Sequence, residues 1–296
     1  MNIRSGKHFR FAGSLFSQTK GELSMMTDRD AQIIKMAKEM GAAMAGIASI
    51  DLLKTSPSYE ILEKIGREID WINSDLETED FNEIKWPTEA KSALVIAVSH
   101  PQDKPELDWW DVKGSPGNSM LIRINRELSV WIEEEFDIKT HQLPYSAKQG
   151  GIYLKDTAVL GGLGCIGSNN LLVTPELGPR VRLRAMLLED ELTPTGPIAF
   201  NPCDGCEELC RKVCPQSAYE KIVLSFVETG MVTLPGRDGC FSRTKCMIQM
   251  DKDVEDSEID VNELGQLAVD IEDISQTKKR VKFCRRCELA CPVGSQ

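Results

Sequence analysis

Histidine is scarce in this chain: there are three in 296 residues. None belongs to a His-rich metal motif, and a histidine-centred catalytic group has little to draw on. Long apolar runs are also missing; nothing approaches the roughly 20 residues that a membrane span needs. The stretch from Met1 to Lys20 holds basic residues and no acidic one. It lacks both a sustained apolar core and a twin-arginine pair, so no export signal is read and a cytoplasmic location is expected. Residues 1–26 read as a disordered extension. Positive charge is not in excess. The formal net charge of −11 argues against a broad nucleic-acid face, which must be basic. No repeat of solenoid length is visible. Hydrophobic residues at 41% and charged residues at 27% describe an ordinary globular chain, long enough to bury a core.

What the chain does have is cysteine, ten in all. Disulfides suit short secreted chains, so metal ligation in a reducing cytoplasm is expected instead. Cys203-x2-Cys206-x3-Cys210-x3-Cys214-Pro215 forms one run and Cys284-x2-Cys287-x3-Cys291-Pro292 a second; Cys240 and Cys246 lie between them. Thiolates at these intervals, with proline after the last cysteine of each run, mark cubane iron–sulfur clusters and hence one-electron transfer. In two-cluster ferredoxins the cysteine before proline ligates the other cluster. On that rule Cys203, Cys206 and Cys210 take Cys291 as fourth ligand. Cys214 then joins Cys284, Cys287 and either Cys240 or Cys246. The first run has three residues in its middle gap, where the usual pattern has two. Paired C-x2-C units also bind zinc, which leaves structural zinc as the alternative.

Up to about Asp190 helical and extended patterns alternate, which indicates an α/β domain over residues 27–193. Thr27 and Asp30 resemble a capping box at the head of a helix to Met44. Ala45 to Ile50 and Ser92 to Ser99 read as strands, the second apolar enough to be buried. Pro57 to Asn73 and Asn118 to Phe136 read as amphipathic helices, and Val181 to Leu187 as an alternating strand. Pro194-Thr195-Gly196-Pro197 reads as a linker. Residues 198–296 then read as a small domain held by metal, because cofactor binding contributes directly to folding.

Gly162-x-Gly164-x-x-Gly167 formally matches the dinucleotide fingerprint, which needs a strand before it and a helix after it. Here a helix, Tyr153 to Leu160, precedes it. The loop is therefore a tight turn, or a place where backbone closely approaches a large flat ligand. Other polar residues have bland readings. His100 reads as a loop residue, His141 as a candidate site residue near Tyr145, and Lys155 and Asp156 as helix surface. Asp251 to Asp273 reads as a solvated acidic face, and the basic cluster from Lys278 to Arg286 as a solvated positive surface beside the last cysteines, or one that steadies an anionic cluster.

The segment Gly162-Leu163-Gly164-Cys165-Ile166-Gly167-Ser168-Asn169-Asn170-Leu171-Leu172 resembles the GLGWIGKxxLL segment of epoxyqueuosine reductases. The cysteine arrangement resembles theirs too and, more distantly, that of reductive dehalogenases. The likeness runs from about Ile33 to Pro292. It implies an α/β (α+β) corrin-binding domain followed by a small ferredoxin-like domain with two 4Fe-4S clusters, which pass electrons to a cobalamin that reduces the substrate. It implies that the glycine loop, with Gly162, Gly164, Cys165, Gly167, Asn169 and Asn170, faces the corrin. It selects Cys246, because the family's isolated cysteine follows a basic residue and precedes an aliphatic one, as in Lys245-Cys246-Met247. Cys240 and Cys165 are then free thiols, and Cys165 stands where the family has tryptophan. The family's proton-donating aspartate lies in a DSAP-like segment. The nearest stretch here is Pro144-Tyr145-Ser146-Ala147, which makes Tyr145 the implied general acid. Implied partners are an electron donor such as a ferredoxin or flavodoxin, or a corrinoid protein. Epoxyqueuosine reductases carry a further helical-repeat region that helps to hold tRNA. This chain stops at Gln296, so tRNA is a doubtful partner. The expected function is a cobalamin-dependent iron–sulfur reductase. The alternative is a non-catalytic electron carrier or activator of a corrinoid partner.

Overall fold

The computed structural model describes residues 26–65, 87, 89–111, 113–145, 151–257 and 280–294. The extension expected before Met26, the part of the expected helix from 66 to 73, residues 146–150 and the acidic stretch from 258 onward lie outside these residues.

Helix α1 is Asp28–Glu39. Thr27 caps it, its side chain accepting from the Asp30 N–H at 3.2 Å. The Asp30 carboxylate does not complete the reciprocal box. It is buried and accepts from the Thr193 N–H at 3.0 Å. The expected linker is thereby tied to the sheet, since Thr195 Oγ1 also accepts from the Ile47 N–H at 2.9 Å. Strand β1 (Met44–Ser49) runs into α2 (Ile50–Lys54), and α3 (Pro57–Ile65) follows. Strand β2 is Ser92–Ser99. Helix α4, Pro116–Phe136, starts on the Ser115 cap with proline at its first position and ends on Asp137 in the left-handed region. Strand β3 is Thr140–Gln142, α5 is Leu154–Leu160, β4 is Cys165–Ile166, β5 is Leu172–Val173 and β6 is Val181–Leu188.

The main sheet has the order β1-β2-β6-β3, and every pairing in it is antiparallel. The helix–strand alternation therefore does not build parallel crossovers. Strand β2 is apolar throughout for another reason: helices cover both faces. Ala93, Val95 and Ala97 join Ala185 and Leu187 on the side of α2 and α5. Leu94, Ile96 and Val98 join Met186 and Leu188 on the side of α1 and α4. The alternation of β2 thus feeds two cores, one per face.

The α5 face is built of small residues, and this lets α5 come close. A side chain at Gly46 would place its Cβ 2.0 Å from the Gly161 carbonyl oxygen at the end of α5. Past the sheet the described residues form short helices around the cysteines: α6 (Leu209–Lys212), α7 (Phe226–Thr229), the longer α8 (Arg243–Glu255) and α9 (Arg286–Leu289). Their apolar cluster is small, with Leu224, Met231 and Leu234 packed on Ile61 of α3. No described helix is long and apolar enough to cross a membrane.

Because the atom opposing Gly46 is backbone, the sheet or α5 must shift to admit a methyl group. Gly46→Ala is expected to lower stability by about 1–3 kcal/mol, read as a lower urea midpoint with an unchanged slope. A midpoint equal to that of the parent protein contradicts the close approach.

Candidate metal centre

Four thiols converge on one cavity. Cys203, Cys206 and Cys210 line it together with Cys291, and Pro202 and Pro292 help to close it. Cys203 and Cys206 lie before α6, Cys210 lies on it, and Cys291 follows α9. The remaining cysteines form a second neighbourhood. Cys246, on α8, is electrostatically coupled to Cys214 and Cys284, and Cys287 to Cys246 and Cys284. Cys240 instead faces Asp238 and Arg211, with its Sγ 3.8 Å from the Asp238 carbonyl oxygen.

Burial pushes the Cys210 thiol up to about 11, and the nearby Cys291 and Cys203 push the same way. Burial likewise pushes Cys287 up to about 12, with Cys246 and Cys284 adding to it. Left alone, such thiols stay protonated, and a positive metal centre is what would draw the protons off. Backbone donors already point at sulfur: the Ser168 N–H donates to Cys203 Sγ and the Ala218 N–H to Cys214 Sγ, each at 3.4 Å.

Four thiols around one cavity form a donor set that a cubane or a structural zinc could use.

The segment after the glycine loop lies between the two cysteine groups. The Ser168 N–H reaches Cys203, while the Asn169 side-chain amide donates to the Cys287 carbonyl oxygen at 3.4 Å. Asn169 is buried and its own carbonyl accepts from the Tyr219 hydroxyl at 3.0 Å. Asn170 sits in the left-handed region, and Lys155 Nζ donates to its carbonyl and side-chain oxygens at 2.7 and 2.9 Å. Burial, helped by the charge of Arg243, lowers the Lys155 ammonium to about 8. Lys155 is thus a brace for the loop rather than a surface residue. Asp156 is also buried, accepting from both hydroxyls of Ser56 and Ser58 and from the Ser58 N–H.

The glycines themselves pack on protein. A Cβ at Gly162 would lie 2.5 Å from the Gly196 carbonyl oxygen, and one at Gly164 would lie 2.1 Å from that of Val173. At Gly167 the opposing atoms are Val173 Cγ2 and Asn169 Oδ1, with Cys203 Sγ at 3.6 Å. These close approaches are to the chain's own atoms. Cys165 is half-buried, and burial raises its thiol to about 11 beside Cys203. Tyr145 is exposed past the end of β3, and His141 pairs with Glu189 at 2.8 Å.

An ion network that sequence reading missed anchors the last cysteine group. His100 lies in the loop after β2, as expected, but is fully buried there, and its Nδ1 lies 2.6 Å from Asp108 Oδ1. Asp108 also meets Arg182 Nε at 3.0 Å and Arg285 at 2.7 Å. Arg182 binds Glu288 at 2.8 Å, and Arg285 binds Glu288 as well. Arg285 therefore belongs to the interior, not to a solvated basic surface. Asp253 leaves the acidic face too, accepting from the Cys284 N–H at 2.7 Å.

The fold is similar to that of solved epoxyqueuosine reductases. The Streptococcus thermophilus structure matches at TM-score 0.56 and 19% identity, over 90% of this chain and 66% of that one. The Bacillus subtilis structure matches at 0.53 and 20%, over 89% and 64%. An epoxyqueuosine reductase with a tRNA-Tyr epoxyqueuosine-modified stem loop matches at 0.54 and 20%, again over 89% and 64%. The chain spans about two thirds of the length of these structures. No family model and no curated protein matches it.

Burial alone would raise the Asp108 carboxyl, but the His100 hydrogen bond and the charges of Arg182 and Arg285 outweigh it and hold it below its usual value. The carboxylate therefore stabilises the fold above its unfolded pKa, and that contribution is lost as pH falls through the depressed native value. Asp108→Asn leaves Arg182 and Arg285 short of a partner and is expected to cost about 3 kcal/mol at neutral pH. In denaturation series, the difference from the parent should shrink below about pH 4. A difference that stays constant across that range excludes the ion pairs as its cause.

Proposed function

We propose that the chain is an iron–sulfur oxidoreductase that moves single electrons through two 4Fe-4S clusters. The first would be held by Cys203, Cys206, Cys210 and Cys291, the second by Cys214, Cys246, Cys284 and Cys287. The observation that carries this reading is the cavity lined by three cysteines of one run and the last cysteine of the other. Such an exchange of ligands is what a two-cluster ferredoxin arrangement needs. Each cluster accepts and releases one electron. The protein's part is to hold the thiolates, aim N–H donors at sulfur and keep water from the buried sites.

Likeness to epoxyqueuosine reductases supports cobalamin as the next acceptor, with reduction of a substrate as the outcome. In that reading Tyr145, exposed on its loop, is the proton donor. The steps assigned to this chain end at the clusters. The alternative reading is that the chain is an electron carrier or activator serving a corrinoid partner protein. A ferredoxin or flavodoxin is the class of donor proposed for either role. tRNA is not proposed as the substrate, because a net charge of −11 opposes a polyanion.

Anaerobic protein reconstituted with iron and sulfide should bind about eight of each per chain. Cys246→Ser should lose about half of both, and Cys240→Ser should keep them all. Stoichiometric zinc without acid-labile sulfide would sink the reading. Addition of cobalamin separates the two roles: a bound cob(II)alamin EPR signal selects the reductase, and its absence beside intact clusters selects the carrier.

A further inference from the structure

A groove of about 410 Å³ lies between residues 217–223 and the head of α8. Its walls are close to sulfur. The Ala218 N–H donates to Cys214 Sγ at 3.4 Å. Lys245, whose ammonium donates to the Ser217 carbonyl oxygen at 3.1 Å, directly precedes Cys246. Ile222 stands 69% exposed in the wall, and the chain beyond it leaves Val227 93% and Val232 80% exposed. The rim is basic. Lys221 is exposed and in no ion pair among the described residues, and Lys245 meets Glu220 at 3.8 Å. An open aliphatic side chain inside a charged rim is the make-up of a protein contact. Residues 209–248 carry six Lys and Arg against three Asp and Glu, a net of +3, in a chain whose net charge is −11. An acidic partner is therefore repelled by the rest of the molecule and drawn to this part of it.

We propose that this groove is the docking surface for an acidic one-electron carrier protein, which delivers its electrons beside Cys214 and Cys246. This rests on the two-cluster reading above, in which both cysteines hold a cluster. The carrier is oxidised by one electron and the cluster reduced by one; no bond forms or breaks, and no proton moves. Such an encounter needs closeness and quick release rather than a large interface, and redox complexes lie at the small end of the size range. Charge on the rim supplies the approach rate and the orientation. A second copy of this chain fits the groove less well. A two-fold contact brings the same patch of each copy together, which would set Lys221 and Lys245 against their own counterparts.

The test uses the full chain, reconstituted anaerobically, with a reduced acidic plant-type ferredoxin as the probe and stopped-flow reoxidation of that ferredoxin as the readout. Lys221→Glu and Ile222→Asp should each slow the transfer about tenfold at low salt. Reduction by dithionite, which needs no docking, should stay at the parent rate. Lys35→Glu makes the same charge change on an exposed residue of α1 and should slow the transfer less than about twofold. Parent-like ferredoxin rates in both groove variants, or equal slowing in Lys35→Glu, overturn the docking surface while the clusters stand. A parent protein that holds no cubane overturns the two-cluster reading, and the docking with it. Where a groove variant loses its clusters, carbodiimide coupling of ferredoxin carboxylates to the parent protein decides: an amide to Lys221 or Lys245 supports the site, and amides only to other lysines refute it. A parent protein that sediments as a dimer and is split by Ile222→Asp gives the groove to a second copy and overturns the carrier.

Discussion

The cysteine region depends on how residues 280–294 are held against the start of β6. Two cysteine runs separated by about 70 residues have to share a cavity, and only a firm anchor can bring Cys291 to Cys203. The anchor is largely backbone. Arg180 is buried and its guanidinium donates to the carbonyl oxygens of Glu288, Cys291 and Val293. These carbonyls lie at and beyond the end of α9, where helix geometry leaves acceptors without partners. Beside them two glycines meet. A Cβ at Gly178 would lie 1.9 Å from the Val293 carbonyl oxygen, and one at Gly294 would lie 2.5 Å from the Gly178 nitrogen. Both have positive φ, 57° and 68°. Here glycine serves both conformation and contact: the turn needs the left-handed region, and the two strands of chain leave no room for a methyl group.

Charge has a second role in the same place. Asp108 and Glu288 face Arg182 and Arg285 in a network with little solvent. Ion pairs of this kind return little net stability, because desolvation consumes most of the Coulomb gain. Their value is directional. Each side chain has a defined partner on another segment, so α9 can seat on β6 in only one register. The network also sets cations beside cysteines. A cubane with four thiolates is anionic, and this chain already carries a net charge of −11. Arg180 and Arg285, close to Cys291 and Cys284, offset part of the repulsion that bringing such a group into an acidic protein would otherwise cost.

Much of this was legible from local pattern. The α1 cap, the buried strand Ser92–Ser99, the long helix ending at Phe136 and the similarity to epoxyqueuosine reductases could all be read from short stretches of residues. What escaped were relations between distant residues. Strand direction is one: alternating helix and strand leaves it open, and β2 lies antiparallel between β1 and β6. His100 is another. A histidine before proline looks like a loop residue, and only Asp108, brought in by the turn of Pro105–Asp108, makes it an interior one. The glycine loop shows the same limit. Its spacing announces that backbone comes close to something, but not to what. In this fold the answer at Gly162 and Gly164 is the chain's own carbonyl groups.

Helix α8 shows how a metal centre would bear on the fold. It is 13 residues long, and none of them is buried. A helix of this length is marginal in water without an apolar face to pack. Its ties include the Ser242 cap, the Lys245 ammonium on the Ser217 carbonyl, the Gln249 side chain accepting from Gln216 and the Asp253 carboxylate on the Cys284 N–H. Those to Ser217, Gln216 and Cys284 end at or within a few residues of a second-group cysteine. The helix is therefore arranged to deliver Cys246 rather than to bury surface. A bond from Cys246 to a cluster would replace the missing apolar contact, as metal binding does in small metal-held folds. The raised thiol pKa values fit this logic. Thiols pushed up by burial and by one another are poor anions alone, so a centre that deprotonated them would add to the cohesion of this part of the chain.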